Sequence, residues 1–438
     1  MYKFLFLVIS NICFIFFITN AAEPIVIDYA DELIGETSSG ASTRRLVGNV
    51  QLHQGDVRAT CGSAVQYMFL NKFQMSQNVV IRQNTLTLKA PLVVYDGNIY
   101  LAEAENGVTV SDNNMTLKAS RGNFSTKTQV ANFIGKVVLV DDSVSIFCDT
   151  ITHNCLTRDS KAIGSALIKS KLTNAFLIAD SIFNFHETNY SIAYGNPVLC
   201  QIDTNKSTVD DISIDSNQVL DNNLKFDTLT IRADTMEAFR AGDDEFYHFR
   251  GNVEIIKGEI SAKCGEGYYY KIRQYFVLRN NPVIWHDNMQ LHADSITIFT
   301  AENTLRRIHS LKNALSITWN DTNNLSRKNQ LYGNEIDILF SNSSPDIISS
   351  NGDAKSIYFL ETDGAPDGVI KNSAEKIIIK LLDSQAENIT LVNQIPGEYT
   401  PEPLVLEDEQ KFFLSGYKFY DNKPKKFEIS LDKYLNLR

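Results

Sequence analysis

The chain has 438 residues, of which 43% are hydrophobic and 21% are charged, and its formal net charge is −11 at pH 7. This acidic balance argues against nucleic acid as a partner, because nucleic-acid binding depends on clustered Lys and Arg. The length allows one large domain or two to three domains of ordinary size.

Residues 1–22 have the layout of a secretory signal peptide. They read MYKFLFLVISNICFIFFITNAA, with one early cation at Lys3, an apolar run from Phe4 to Ile18 and small residues at the end. The alternative is an uncleaved membrane anchor, since roughly 15 apolar residues lie at the short end of the range for a membrane span. We expect cleavage and therefore an exported chain.

The chain repeats itself at an offset of 203 positions. LVGNVQLHQGDVRATCG at 46–62 returns as FRGNVEIIKGEISAKCG at 249–265. Between positions 30 and 90, sixteen residues recur in the later copy without a gap, whereas chance would give roughly four. The sequence therefore predicts an internal duplication, with one copy at residues 23–203 and the second at 226–395.

A shorter period lies within the first copy. Similar strand segments carry Ala59, Ala90, Ala119, Cys148 and Ala179 in steps of 31, 29, 29 and 31 residues. A period near 30 is typical of stacked repeats. The segments alternate apolar and polar residues, as strands do when one face is buried and the other meets water. The prediction is an all-β fold of short strands in stacked layers.

Two stretches interrupt this rhythm. Residues 204–225 are rich in Asp, Asn and Ser and predict a linker or long loop between the copies. Residues 396–438 begin with three prolines among acids, which indicates an extended connection before a C-terminal strand segment at 426–431.

The cysteines and histidines do not form a metal or catalytic pattern. No CxxC pair, HxH or HExxH spacing occurs, so we expect no metal, no cofactor and no enzyme. Cys61 and Cys264 occupy equivalent positions and are predicted to be buried small hydrophobic residues. Cys148 and Cys155 are the one pair worth testing as a disulfide. His292 is interpreted as a solvated strand residue.

The repeated motifs resemble the OstA/LptA-like domain of the lipopolysaccharide transport machinery. The first copy carries Ala30-Asp31, GNVQLHQGDVRA at 48–59, Tyr67, NVVI at 78–81 and LKAPLVVY at 88–95. The second copy carries RAD at 232–234, GNVEIIKGEISA at 251–262, Tyr270 and LHADSITIF at 291–299. The similarity is firmer at 25–150 and 229–300 than in the C-terminal region.

This resemblance implies a fold and a function. The fold would be two tandem open-ended, twisted β-jellyroll units that form a stacked, β-solenoid-like groove. The function would be that of a periplasmic bridge protein that binds lipopolysaccharide and carries its lipid A acyl chains towards the outer membrane. Partners would be other lipopolysaccharide-transport proteins, joined by edge-strand addition, and copies of the chain itself, joined head to tail.

Alternating positions of the predicted strands indicate an apolar inner face that would contact lipid. Burying an acyl chain there would contribute about 0.8 kcal/mol per CH₂. The alternative is that these residues pack on one another as a closed core. The predicted inner residues are Val50, Leu52, Val79, Ile81, Leu88, Val108, Val110, Leu117, Val137, Leu139, Val253, Ile255, Ile284 and Leu291.

The first strand, at 24–31, and the last, at 426–434, are candidate edges for partner strands, with simple capping strands as the alternative. Two other classes of protein stay open. One is an exported structural or surface β-solenoid protein, and the other is a polysaccharide-active β-solenoid enzyme, which would need two convergent carboxylates. Paired acids such as Asp141-Asp142 are better interpreted as turn residues.

Overall fold

A computed structural model describes residues 25–38, 41–70, 72–83, 85–96, 99–125, 127–142, 144–171, 175–202, 228–240, 245–301, 304–319, 327–341, 344–362, 365–382, 385–393, 395–406 and 409–426. The chain divides into two compact units. Unit 1 is Met1–Phe226 together with Glu428–Arg438, and unit 2 is Asp227–Phe427. The predicted signal peptide, the predicted linker at 204–225 and nearly all of the predicted C-terminal strand lie outside the described residues.

The described part of unit 1 is built from antiparallel strands rich in Val, Ile, Thr and Phe, residues that suit a pleated, half-buried surface. The strands are β1 (Val26–Tyr29), β2 (Glu32–Ser38), β3 (Ala41–Gln54), β4 (Val57–Tyr67), β5 (Lys72–Gln83), β6 (Leu86–Asp96), β7 (Leu101–Glu105), β8 (Val108–Ser111), β9 (Met115–Ala119), β10 (Arg121–Ser125), β11 (Val130–Asp141), β12 (Val144–Asn154), β13 (Ser160–Ser170), β14 (Ala175–Phe185), β15 (Tyr190–Tyr194) and β16 (Val198–Ile202). A 3₁₀ turn at Met68–Leu70 separates β4 from β5.

Unit 2 continues in the same way. Its strands are β17 (Thr228–Arg232), β18 (Thr235–Phe239), β19 (Phe246–Lys257), β20 (Ile260–Tyr270), β21 (Tyr275–Arg279), β22 (Val283–His286), β23 (Met289–His292), β24 (Ser295–Ala301), β25 (Thr304–Thr318), β26 (Asn329–Ser341), β27 (Ser344–Thr362), β28 (Ala365–Leu382), β29 (Gln385–Val392) and β30 (Ile395–Pro401). The short helix α1 (Glu402–Val405) and a 3₁₀ turn at Glu409–Phe412 follow. Strand β30 forms where we expected an extended connection, because an edge strand tolerates prolines that cannot donate to the ladder.

The long strands bend at pairs of residues in the left-handed region. In β3, Gly48 has φ 74° and Asn49 has φ 45°, and the pairing register shifts between Val47 and Val50. Such a bulge bends a strand sharply. The pairs lie at 48–49, 77–78, 106–107, 135–136, 164–165 and 195–196 in unit 1, and at 251–252, 280–281, 312–313 and 352–353 in unit 2. Their spacing in unit 1 accounts for the period near 30.

The bends divide each unit into two sheet layers. Residues 130–134 of β11 pair with β10, whereas residues 138–141 pair with β9. In unit 1 we call layer A the sheet that contains β2, β7 and β10, and layer B the sheet that contains β1, β8 and β9. In unit 2, taken by itself, layer A is the sheet with β18, β21 and β24, and layer B is the sheet with β17, β22 and β23. The prediction of an all-β, jellyroll-like fold is confirmed.

The two units share one pairing register in layer B. Each unit contains four residues that lie directly opposite one another in successive strands. They are Leu52, Ala59, Ile81 and Leu88 in unit 1, and Ile255, Ala262, Ile284 and Leu291 in unit 2. The repeated sequence therefore corresponds to a repeated ladder, and its origin by duplication stays a prediction.

The cysteines follow the strand alternation. Cys61 and Cys264 are buried, as predicted, each directly opposite a buried valine in the neighbouring strand. Burial raises the pKa of the Cys148 and Cys264 thiols to about 12. The suggested disulfide between Cys148 and Cys155 is wrong. Seven residues of extended chain span about 23 Å, far more than the roughly 7 Å that a disulfide allows between Cα atoms.

Candidate functional site

The predicted inner residues of unit 1 lie on one face of layer B. Side chains directly opposite in paired strands share a face, and successive residues alternate between faces. One row of opposed residues contains Leu52, Ala59, Ile81, Leu88, Val110, Leu117 and Leu139. Val50, Val79, Val108 and Val137 lie two residues before members of this row, on the same face. Gln51 and Lys89 point the opposite way and are exposed.

An apolar cleft opens between the two layers of unit 1, towards the end that contains β1. Layer B contributes four of the predicted residues, Leu52, Ile81, Leu88 and Val108. The cleft has about 1100 Å³ of empty space when its open part is included. Layer A contributes Phe73, Met75, Val93, Tyr95, Ala102, Ala104, Gly122, Phe124, Ala131 and Phe133.

The other predicted residues of unit 1 are packed. Val50, Val79, Val110, Leu117, Val137 and Leu139 are each 0% exposed. Further along the unit, Ile146 and Ile168 of layer B and Ile151 and Ile182 of layer A are at most 1% exposed. The space between the layers is therefore an open cleft near β1 and a filled core beyond β11.

Sequence reasoning missed the layer A side of the cleft. All of the predicted residues come from strand segments on one side of the bends. A signal was present, because Phe73 and Met75 alternate with polar residues before the bend at 77–78. If the segments on both sides of each bend are treated as strands, the alternation also predicts the layer A side of the cleft.

One row of layer A changes from apolar to polar as it passes from the cleft to the packed part. Opposed residues in this row are Phe73, Tyr95, Ala102, Phe124, Ala131, His153, Ser160, Asn184 and Ser191. His153 is 1% exposed, and its Nδ1 lies 2.8 Å from Ser160 Oγ. Burial lowers the pKa of His153 to about 4, so its imidazole is neutral at pH 7.

Unit 2 has a second cleft between its layers, at the end that contains β29. Its apolar lining includes Met289 and Leu331 of layer B and Ile348, Ile377 and Ile389 of layer A, and its empty space is about 1420 Å³. The predicted residues Val253, Ile255, Ile284 and Leu291 do not line this cleft and are at most 4% exposed. Their role as lipid contacts stays a prediction.

Each unit has edge strands in its described part. Among the described strands, β1 and β2 pair only with β3, and they expose Val26, Tyr29, Leu33 and Ile34. In unit 2, β29 and β30 pair only with β28. The predicted edge at 426–434 lies outside the described residues from position 427 onward.

No helix within the described ranges is long and apolar enough to cross a membrane. The same part of the chain contains no group of three or more His, Cys, Asp or Glu side chains that could hold a metal ion.

The fold and the cleft define a two-layer β-jellyroll with an apolar groove. Residues 22–163 match the model of the OstA-like protein family, so the resemblance found in the sequence is confirmed over this part of the chain. The matched segment includes every residue that lines the unit 1 cleft.

Among solved structures, the chain is similar to LptH from Pseudomonas aeruginosa, described as the LptA homologous periplasmic component of the conserved lipopolysaccharide transport device. The identity is 14%, the alignment covers 33% of this chain and 93% of that chain, and the TM-score is 0.25. No curated protein matches the chain.

Proposed function

We propose that the chain is a non-enzymatic periplasmic protein that holds the acyl chains of lipopolysaccharide in the unit 1 cleft and carries them towards the outer membrane. The observation that supports this most directly is the apolar cleft between the layers, which lies within the OstA-like segment. The cleft would take the acyl chains of lipid A, while the polar sugars stay in water.

The lining suits a flexible apolar ligand. Phe73, Phe124 and Phe133 provide large aromatic surfaces, and Met75 adds an unbranched side chain that adapts to irregular shapes. Each buried CH₂ group contributes about 0.8 kcal/mol, so a chain of fourteen carbons would contribute roughly 10 kcal/mol. Binding of this kind needs no cofactor and no covalent step.

Small residues keep the cleft open. Ala104 and Gly122 lie next to each other in the layer A row that also contains Val93 and Phe133. A Cβ atom on Gly122 would lie 2.7 Å from the Phe133 ring, so glycine lets this ring lie flat against the strand. In the packed part of the unit, Ile151 and Ile182 occupy the same row and fill the space.

The edge strands suit assembly with other chains. Among the described strands β1 and β2 pair only with β3, and both expose apolar side chains, which is an arrangement that suits strand addition. The proposed partners are other lipopolysaccharide-transport proteins and a second copy of the chain, joined head to tail. A row of such units would extend the groove between the membranes.

A photocrosslinking experiment tests the proposal. A benzophenone amino acid is placed at Leu88, which lines the cleft, and in a matched control at Lys89, which points to solvent on the other face. The full chain is expressed in cells that make lipopolysaccharide. We expect a lipopolysaccharide adduct at Leu88 and none at Lys89. Equal labelling, or none at Leu88, would contradict lipid binding in the cleft and favour a structural β-solenoid protein.

A further inference from the structure

The outward face of layer B in unit 1 changes from polar to apolar along one row of opposed residues. Near β1 the row is mostly polar, and Lys89 and Lys118 are exposed. Beyond β11 every member is apolar. In order, the residues are Thr60, Val80, Lys89, Thr109, Lys118, Val138, Phe147, Leu167, Ile178 and Val198.

The apolar half of this row forms a buried cluster. Together with Phe176 and Cys200 on the same face it makes the outer patch, in which Phe147, Leu167, Phe176, Ile178 and Cys200 are buried and Val138 and Val198 are partly buried. Leu167 is 2% exposed and Phe147 is 7% exposed. Their sequence neighbours Ile168 and Ile146 already point between the layers, so the patch faces away from the core. A sheet face of this kind is buried only when another segment covers it.

Unit 2 shows a segment that covers the corresponding face. Gln290 and Gln330 are buried and point away from their inward neighbours Leu291 and Leu331. Gln290 donates from Nε2 to the Tyr420 carbonyl at 2.7 Å and accepts from the Tyr420 N–H at 2.9 Å. Gln330 donates to the Phe412 carbonyl at 2.9 Å and accepts from the Leu414 N–H at 2.8 Å. The backbone of the segment is thus fixed at two buried amides.

Apolar and ionic contacts hold the same segment, which we call the strap and define as residues 402–426. Val405 and Phe412 of the strap form a buried cluster with Ile357 and Val369. Arg327 makes two hydrogen bonds to the Glu402 carboxylate at 3.1 and 2.5 Å.

The strap also changes the environment of His292, and the interpretation of this residue as solvated is wrong. The Tyr420 ring of the strap packs edge-on against the His292 ring, with 5.6 Å between the ring centroids. Burial lowers the pKa of His292. A residue on the outward face of layer B is therefore covered wherever the strap passes over it.

We propose that the C-terminal segment, residues 428–438, docks on the outer patch of unit 1. The described chain ends at Lys426, directly after the strap, and Glu428–Arg438 group with unit 1. The segment reads EISLDKYLNLR, in which Ile429 and Leu431 alternate with Ser430 and Asp432. One face of an extended segment with this pattern would be apolar.

The dimensions agree with this occupant. The outer patch lies on β11, β12, β13, β14 and β16, which are successive neighbours in layer B. Four inter-strand spacings amount to about 19 Å, and eleven extended residues reach about 36 Å. The segment is therefore long enough to cross the whole patch.

A disulfide trap tests the docking in the full chain. Cys200 lies in the outer patch, and the cysteines at 13, 61, 148, 155 and 264 are replaced by Ala. Separate variants carry Ile429→Cys, Leu431→Cys or Leu435→Cys, with Ser430→Cys as the matched control. Under mild oxidation we expect an intramolecular disulfide to Cys200 from at least one of the three apolar positions. The yield from Ser430→Cys should be at least tenfold lower.

Two other outcomes of the trap would overturn the proposal. Disulfide-linked dimers alone would mean that a second copy covers the patch. Absence of any bond to Cys200 would mean that another segment, such as residues 204–225, covers it.

Removal of residues 428–438 provides an independent readout. We expect amide hydrogen exchange to accelerate at residues 144–148, 166–170 and 175–179, and exchange near β1 to stay unchanged. Unchanged protection at the three segments would contradict docking on the patch. If the truncated chain does not fold, the disulfide trap in the full-length chain decides.

Discussion

At the residue scale, the repeated Gly-Asn pairs act as corners of the fold. Asn49 donates from Nδ2 to Asp31 Oδ2 at 3.0 Å, and the Asp31 N–H donates to the Gly48 carbonyl at 3.0 Å. In unit 2, Asn252 and Asp234 make the same side-chain bond at 3.1 Å. The Ala-Asp and Gly-Asn motifs therefore recur together because they meet at one bend.

The Gly48→Ala change should lower the free energy of unfolding by about 1–3 kcal/mol. Gly48 has φ 74°, and an added Cβ would lie 2.0 Å from Asp31 Oδ2. Urea unfolding measures the effect. Gly35→Ala is the matched control, since its Cβ would have no atom within 4 Å, and it should change stability by less than about 0.5 kcal/mol. If both variants lost the same free energy of unfolding, the bend at Gly48 would not require glycine.

His153 should make stability fall as the solution becomes more acidic. Burial lowers its pKa from 6.5 to about 4. Between these two pH values the imidazole is protonated in the unfolded chain and neutral in the folded chain. The contribution is present above pH 6.5 and is lost as the pH falls towards 4. Between pH 7.5 and 5.0 the loss amounts to about 2 kcal/mol.

His153→Gln should remove this part of the pH dependence. Urea unfolding of both proteins at the two pH values measures it, and other acid-sensitive groups affect both proteins equally. If the free energy of unfolding of both proteins fell by the same amount between the two pH values, the imidazole of His153 would not be buried and neutral in the folded chain.

At the scale of elements, the edge strands decide what the chain can join. β1 and β2 have one strand partner each among the described residues and expose apolar side chains beside unpaired backbone groups. Proteins protect such edges with charge or cover them unless the edge serves association. Head-to-tail assembly through these strands is the use that the proposed function requires.

Leu33→Lys should weaken self-association at least tenfold without lowering the free energy of unfolding. Leu33 lies in β2 and is 57% exposed, so a lysine there stays in water in the monomer but opposes strand addition. Sedimentation across a concentration series measures the association constant. Leu156→Lys is the control, because Leu156 is 72% exposed in a turn between β12 and β13. If both variants associate as the unmodified chain does, the β2 edge is not the contact.

At the scale of the whole molecule, the same strand ladder borders an open cleft in unit 1 and forms part of a packed core in unit 2. Ala59 and Ala262 are equivalent in sequence and in strand register. Ala59 lines the open cleft of unit 1, whereas Ala262 is 1% exposed in the packed part of unit 2. The same position of the repeat therefore borders a cleft in one unit and lies in a packed core in the other.

Substitution by phenylalanine at Ala59 and at Ala262 should distinguish the open cleft of unit 1 from the packed core of unit 2. Ala59→Phe should lower lipid uptake at least tenfold and change the free energy of unfolding by less than about 0.5 kcal/mol, because the ring enters empty space. Ala262→Phe should cost about 1–3 kcal/mol through overpacking. Lipid binding and urea unfolding are measured on both variants. Equal destabilisation would mean that the cleft is closed in solution.

The sequence by itself determined the local features of this protein. Strand alternation defined the inner face of layer B, because alternation depends only on neighbouring residues, and the Ala-Asp and Gly-Asn motifs were visible as repeats in both copies. The burial of Cys61 and Cys264 followed from the same alternation. These features repeat because each is a property of one strand or one turn.

Only the tertiary structure decided where the inner face is a cleft and where it is a core. Leu88 lines the cleft, while Leu117, two strands further along the same row, is fully buried. The outcome depends on how closely the two layers pack against each other, which no pattern within layer B contains. The covering of His292 by Tyr420 joins residues 128 positions apart for the same reason: contacts between distant segments are set by packing and not by the local sequence.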